Sequence, residues 1–143
     1  MIIDHIGITV KSLVDGIKHW ETVFGYKQKT EIITNTRQKV KVVFLSKIDS
    51  IDVKLIEPVD SSSAVYAAAQ RGGGLHHLCF KCAKLDDEIE RLKEIGLRIW
   101  AEPQPGEAFE NENIVFMYAK QGLNIELIET EKRAGKIDIN KKS

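Results

Sequence analysis

The sequence predicts an α+β fold built as two βαβββ modules that face one another across a central cleft. Three observations carry this expectation. A shift of 72 residues lays the second half on the first, with His5 on His77, Leu13 on Leu85, Val43-Phe44 on Val115-Phe116 and residues 53–57 on residues 125–129. Each half then reads as a strand, a helix and three strands, and a duplicated unit packs against its copy so that equivalent positions converge. Strand alternation places a polar set from both copies on one side of the sheet.

In the first copy, residues 2–10 carry β-branched side chains at Ile2, Ile3, Ile6, Ile8, Thr9 and Val10, which favours a strand. Ser12 can cap a helix whose apolar positions Leu13, Ile17, Trp20 and Phe24 recur at helical spacing, and Gly25 ends it. Residues 26–34, 39–46 and 51–57 supply three more strands, closed by Pro58. Ser61, Ser62 and Ser63 precede a short linker helix over residues 64–70, and Gly72-Gly73-Gly74 turns the chain. In the second copy, residues 75–82 form a strand, and residues 85–95 form a helix with Leu85, Ile89, Leu92 and Ile95 on one face and Gly96 after it. Residues 98–101, 113–118 and 123–130 complete the set. The expected organisation is one domain over residues 1–130, with module one at 1–58, the linker at 59–72, module two at 73–130 and a polar tail at 131–143. The polar stretch 103–112 interrupts the second copy as a long loop able to fold over the cleft.

Hydrophobic residues make up 43% of the chain and charged residues 29%, an ordinary globular balance, and 143 residues bury enough surface to need no covalent staples. Lys+Arg and Asp+Glu are equal at 21 each, so no net field steers the protein to nucleic acid or an anionic membrane. The basic stretch from Lys136 to Lys142 reads as a solvated, frayed end. No apolar run approaches the ~20 residues of a membrane span, and the first residues lack an export-signal layout, which together point to the cytoplasm. Cys79 and Cys82 form a C-x-x-C, but positions three apart on a strand point to opposite faces, so two buried reduced thiols are expected.

Parity separates core from cleft. Ile6, Ile8 and Val10 share the helix side of their strand, and His5, Gly7 and Thr9 share the other. In the second copy Leu78, Phe80 and Cys82 take the helix side, with His77, Cys79 and Lys81 opposite. Lys54 and Glu126, themselves repeat-equivalent, lie on the face away from Val53/Leu55 and Ile125/Leu127. His5, His77, Lys54 and Glu126 can therefore look into one concavity. Glu57 and Glu129, also duplicated, are expected as solvent-facing strand ends, Trp20 under the sheet and Trp100 at the cleft mouth.

The segments Ile3-Asp4-His5-Ile6-Gly7-Ile8-Thr9-Val10, Gly73-Gly74-Leu75-His76-His77-Leu78 and Gly122-Leu123-Asn124-Ile125-Glu126-Leu127 resemble the vicinal-oxygen-chelate superfamily. That superfamily includes glyoxalase I, methylmalonyl-CoA epimerase and the fosfomycin- and bleomycin-resistance proteins, and the match is strongest to the epimerase branch. It spans Met1 to about Thr130. The resemblance implies a glyoxalase-like incomplete barrel around a divalent metal (Zn, Co, Ni or Mn, with Fe less favoured), bound by His5, His77 and Glu126. His77 is preferred to His76, which is expected at the core face or strand end. The resemblance further implies a homodimer and metal-assisted proton transfer on a small α-carbonyl or acyl-thioester substrate, with Glu126 doubling as acid and base.

Two positions depart from the family pattern. Lys54 stands where a fourth ligand, Glu or Gln, would be, and an ammonium has no lone pair for a cation. Three ligands remain, a workable set for a catalytic metal, and Lys54 is assigned to stabilise developing negative charge. Alternatively Lys54 pairs with Glu126 and takes the cation's place, leaving a metal-free small-molecule binding or resistance protein. The epimerase carboxylate expected before the third strand is missing from Thr34-Asn35-Thr36-Arg37-Gln38, and Glu31 is the nearest substitute. The two-His-one-carboxylate set also admits an iron-dependent dioxygenase, although extradiol members carry further repeats.

Overall fold

The structure, a computed structural model, describes residues 1–137. In chain order it contains β1 (Ile2–Thr9), α1 (Leu13–Phe24), β2 (Lys27–Gln28), β3 (Ile33–Asn35), β4 (Val40–Ser46), β5 (Asp52–Pro58) and α2 (Tyr66–Gln70). It continues with β6 (Gly74–Lys81), α3 (Leu85–Glu94), β7 (Arg98–Gly106), a 3-10 turn at Glu107–Phe109, β8 (Glu112–Tyr118) and β9 (Asn124–Ile128). All nine strands join one open sheet in the order β2-β4-β5-β1-β6-β9-β8-β7, with β3 also pairing β4. At its centre β1 and β6 run antiparallel. Each is flanked by a parallel partner, β5 or β9, and then by an antiparallel strand, β4 or β8. The two copies therefore face each other about the β1–β6 seam, the α+β arrangement that the repeat predicts.

Alternation along the strands sorts three cores. Leu13 of α1 packs with Val43, Leu45, Val53 and Leu55, with Trp20 against them. Leu85, Ile89 and Leu92 of α3 pack with Val115, Met117 and Leu127. On the other face of the sheet, Val42, Phe44, Cys79, Phe109 and Phe116 form the third cluster, beneath the cleft. Each such side chain, fully buried, is worth about 1.5–3 kcal/mol. Cys79 and Cys82 are both free and buried, and they belong to clusters on opposite faces.

Helix ends follow the sequence signals, with one addition. The Ser12 hydroxyl accepts from Asp15 N at 3.2 Å, and Gly25 adopts φ 74° at the end of α1. Glu57 and Glu129, expected as solvent-facing strand ends, are half-buried and exposed respectively, and each also reaches a helix start. Leu13 N donates to Glu57 Oε1 at 3.0 Å, and Leu85 N donates to Glu129 Oε2 at 2.7 Å. A carboxylate here satisfies an orphan N–H and meets the positive end of the helix dipole.

Three expectations need correction. The strand expected over residues 26–34 is broken in two, because Thr30 turns inward and its hydroxyl replaces a ladder partner by accepting from Phe44 N at 3.1 Å. The expected loop 103–112 is largely strand and turn. β7 pairs β8 as far as Gly106, and Pro103 and Pro105 are tolerated because β7 is an edge strand. The 3-10 turn then drives Ala108 and Phe109 into the cleft-side core. Residues 131–137 fold back on the domain, so Lys136 and Ile137, the start of the stretch expected to fray, are held, with Ala134 N donating to Ala108 O, Ile137 N to Lys29 O, and Glu31 N to Gly135 O, at 2.9, 2.9 and 2.8 Å. The remainder of the basic stretch, residues 138–142, lies outside the described residues. Among the described residues no helix is long and apolar enough to cross a membrane.

Candidate metal centre and cleft

The central seam brings the duplicated histidines together. His5 on β1 lies opposite Cys79, and His77 on β6 lies opposite Gly7. Gly7 supplies the room, because a Cβ there would stand 2.2 Å from His77 Cε1. Glu126 on β9 pairs with Cys79, and Lys54 on β5 pairs with Gly7, so all four side chains rise from adjacent strands on one face.

His5 Nε2 is 3.3 Å from His77 Nε2, and Glu126 Oε1 is 3.2 Å from His5 Nε2 and 3.3 Å from His77 Nε2. Ligand atoms bound to zinc at about 2.0–2.1 Å stand about 3.3 Å apart around a tetrahedron. This triangle therefore has the dimensions of one tetrahedral face. Glu126 is fully buried, yet neither of its oxygens has a hydrogen-bond partner among the described residues. A buried carboxylate left in that condition costs several kcal/mol. The donor set fits a divalent cation.

Both histidines are oriented by the residue before them, through a feature that alternation alone does not predict. The β1–β6 register slips at Asp4 and at His76, equivalent positions of the repeat, so each of these side chains swings onto the cleft face beside its neighbour. Asp4 Oδ2 accepts from His5 Nδ1 at 2.8 Å, and His76 Nδ1 and His77 Nδ1 share a hydrogen bond at 2.8 Å. An acceptor-only carboxylate fixes the His5 proton on Nδ1 and leaves the Nε2 lone pair toward the triangle. The placement expected for His76, at the core face or strand end, is thus corrected.

A cavity of about 340 Å³ opens above this cluster. Lys54, His76, His77 and Phe116 line its inner part, Trp100 stands at the wall, and Arg37 and Lys39 lie toward the turn between β3 and β4. Among the described residues no carboxylate lines it, so the cavity presents cations. Arg37 is partly balanced by Glu107 Oε1 at 3.7 Å. Lys54 Nζ lies 4.0 Å from Glu126 Oε2 and 5.2 Å from the Phe109 ring centroid. Burial forces the His77 imidazole down to about 3 and, with the Lys54 charge, also lowers that of His76. Burial pushes the Glu126 carboxyl up, but the Lys54 ammonium nearby draws it well below the usual carboxylate range.

Two of the expected catalytic residues lie outside the cavity lining. Glu31 is exposed on the segment between β2 and β3, tied by its backbone to Gly135, and does not line the cavity. Inward-turning Thr30 leaves its neighbour facing out. Glu126 is enclosed behind Lys54 and His77 and does not line the cavity either, so its use as an acid or base requires Lys54 to move.

Fold and cleft together define a protein of the duplicated βαβββ class. A family model for the Glyoxalase/Bleomycin resistance protein/Dioxygenase superfamily matches residues 4–116, and the chain belongs to that superfamily. Over 130 residues it is 31% identical to the Bacillus subtilis protein YqjC, covering 89% of this chain and 91% of that one. It is 23% identical to the mitochondrial methylmalonyl-CoA epimerase of Dictyostelium discoideum, covering 92% and 78%. Among solved structures, the Mycobacterium tuberculosis methylmalonyl-CoA epimerase superposes with a TM-score of 0.78 at 30% identity, covering 89% of this chain and 86% of that one. A Streptomyces coelicolor methylmalonyl-CoA epimerase in complex with 2-nitronate-propionyl-CoA gives 0.79 at 26% identity, covering 92% and 98%.

Proposed function

We propose that the protein is a metal-dependent enzyme of the epimerase type, moving a proton at the carbon next to a carbonyl in an anionic acyl-thioester or small α-carbonyl substrate. The observation that carries this reading is the buried triangle of His5 Nε2, His77 Nε2 and Glu126 Oε1 beneath a cation-lined cavity. His5, His77 and Glu126 would hold the ion, which when bound polarises a carbonyl oxygen and acidifies the adjacent C–H. Lys54 presents its ammonium to the cavity and binds the negative charge that develops on oxygen. With His77 Nδ1 donating to His76 Nδ1, the remaining His76 nitrogen, Nε2, carries a proton and is a second donor to that oxygen. Glu126 Oε2, the oxygen nearer Lys54, is the proton acceptor once the lysine side chain shifts. Phe116 and Trp100 keep the acyl portion out of water.

Protein purified without chelator is expected to contain about one equivalent of divalent ion, lost in His5→Ala and Glu126→Ala. Metal-replete protein is expected to exchange the α-proton of methylmalonyl-CoA with deuterium from solvent. Failure to take up any divalent ion would sink the reading.

The Lys54–Glu126 proximity favours one rival, a metal-free binding protein in which the ammonium occupies the cation's place. The 4.0 Å separation weighs against it, since an ammonium satisfying that carboxylate would sit at hydrogen-bond distance, near 2.8 Å. Ligand binding unaffected by chelator, with no exchange, would establish the rival.

A further inference from the structure

Arg133 lies beyond the last strand, yet it is 7% exposed and sits directly beneath the cleft. Its guanidinium carbon is 4.6 Å from the Phe44 ring centroid and 4.9 Å from that of Phe109, so the group lies against both rings. Nη2 donates to Asp4 Oδ2, the same oxygen that accepts from His5 Nδ1, and Nη1 donates to Lys132 O at 3.0 Å. Two backbone contacts, Ala134 N to Ala108 O and Glu31 N to Gly135 O, hold the segment in place. The chain Arg133–Asp4–His5 thus runs from residues after β9 to the Nε2 that faces His77 and Glu126.

We propose that Arg133 is a positioning residue: by pinning Asp4 it fixes the tautomer and orientation of His5, making the segment after β9 part of the metal centre. Asp4 has no other side-chain partner among the described residues, and its side chain is 14% exposed. Without the guanidinium the carboxylate can turn to water, and His5 is then free to carry its proton on Nε2, the nitrogen a cation would need. A residue that merely fills space between Phe44 and Phe109 would not move that proton. The affinity arm of the test rests on the metal reading above, whereas the tautomer arm does not.

Nitrogen NMR of the metal-free full chain, labelled at histidine, reads the tautomer directly. Wild type is expected with the proton on His5 Nδ1, Arg133→Met with a mixture of tautomers, and Arg133→Lys with most of the wild-type pattern restored. Asp4→Asn, whose amide can turn either its oxygen or its NH₂ to the ring, is expected to resemble Arg133→Met and serves if that variant does not fold. Zinc affinity, measured by competition with a chromophoric chelator, is expected to fall about 10–100-fold in Asp4→Asn, with a loss no larger in Arg133→Met. The double variant should lose no more than Asp4→Asn alone. A wild-type His5 protonated on Nε2, an unchanged tautomer in the variants, or losses that multiply in the double variant would overturn the proposal. If wild type binds no zinc while the tautomers behave as expected, the metal reading falls and the positioning role stands.

Discussion

Gly7 is where one absent methyl group decides whether His77 can occupy the cleft. Its backbone is outside the left-handed region, so alanine is conformationally acceptable and would ordinarily stabilise by about 0.4–1 kcal/mol. The clash with the imidazole reverses the sign. Gly7→Ala is expected to lower unfolding free energy by about 1–3 kcal/mol in denaturant titrations and to weaken zinc binding, and a more stable variant would contradict the placement. Lys54 offers a separate test. Lys54→Gln should lower turnover without weakening metal binding, whereas stronger binding together with faster turnover would make the lysine an obstacle to the chemistry. Acid sensitivity follows from His77 and Glu126. His77 falls from 6.5 in the unfolded chain to about 3 when folded, so its contribution is fully present above pH 6.5 and is lost as pH drops toward 3. Glu126, held below its usual 4.5, adds stability that is present above that value and disappears at lower pH. Chelator-treated protein should therefore lose stability steadily below pH 6.5, and His77→Gln should flatten the upper part of that decline in unfolding measured across pH.

At the level of elements, the repeat and strand parity made the four polar side chains of the cleft legible, because a two-residue period assigns faces without knowledge of pairing. Parity alone could not reveal Asp4 and His76 on the same face. An extra residue in one strand leaves no mark in the alternation, although both bulges precede duplicated histidines and so occupy equivalent positions. Residues 103–106 read as loop for a related reason: prolines argue against a strand unless its edge position is known. Glu57 and Glu129 show a duplicated signal without its meaning, since the partner N–H groups lie on helices 44 residues away in sequence. Helix α3 has no capping hydrogen bond from the side chain of Lys84, whereas Ser12 assists at α1. Glu129→Ala is therefore expected to cost about 0.5–2 kcal/mol and Glu57→Ala less, as read from denaturant midpoints. The opposite ranking would remove the capping role.

Across the whole molecule, the three candidate ligands come from both copies, with β1 supplying one and β6 and β9 supplying the others. An ion bound there would tie the halves across their seam. At a free concentration 100 times its dissociation constant it would add about 2.7 kcal/mol, which for a chain of this size raises the melting temperature by roughly 10 °C. Zinc should produce that rise in wild type and little change in Glu126→Ala, and equal shifts in both would place the ion elsewhere. The contribution of Arg133 could not be read from sequence, because nothing in a polar tail signals that one arginine returns beneath the sheet.

The pseudo-two-fold axis relates Lys54 to Glu126, so a nearly symmetric scaffold carries opposite charges at its corresponding inner corners. A flat, charge-delocalised guest lying across that axis would meet the Lys54 ammonium on one flank, whereas Glu126 on the other stays enclosed beneath the lining. Its two sides would no longer be interchangeable, because this one pair of equivalent positions carries opposite charges.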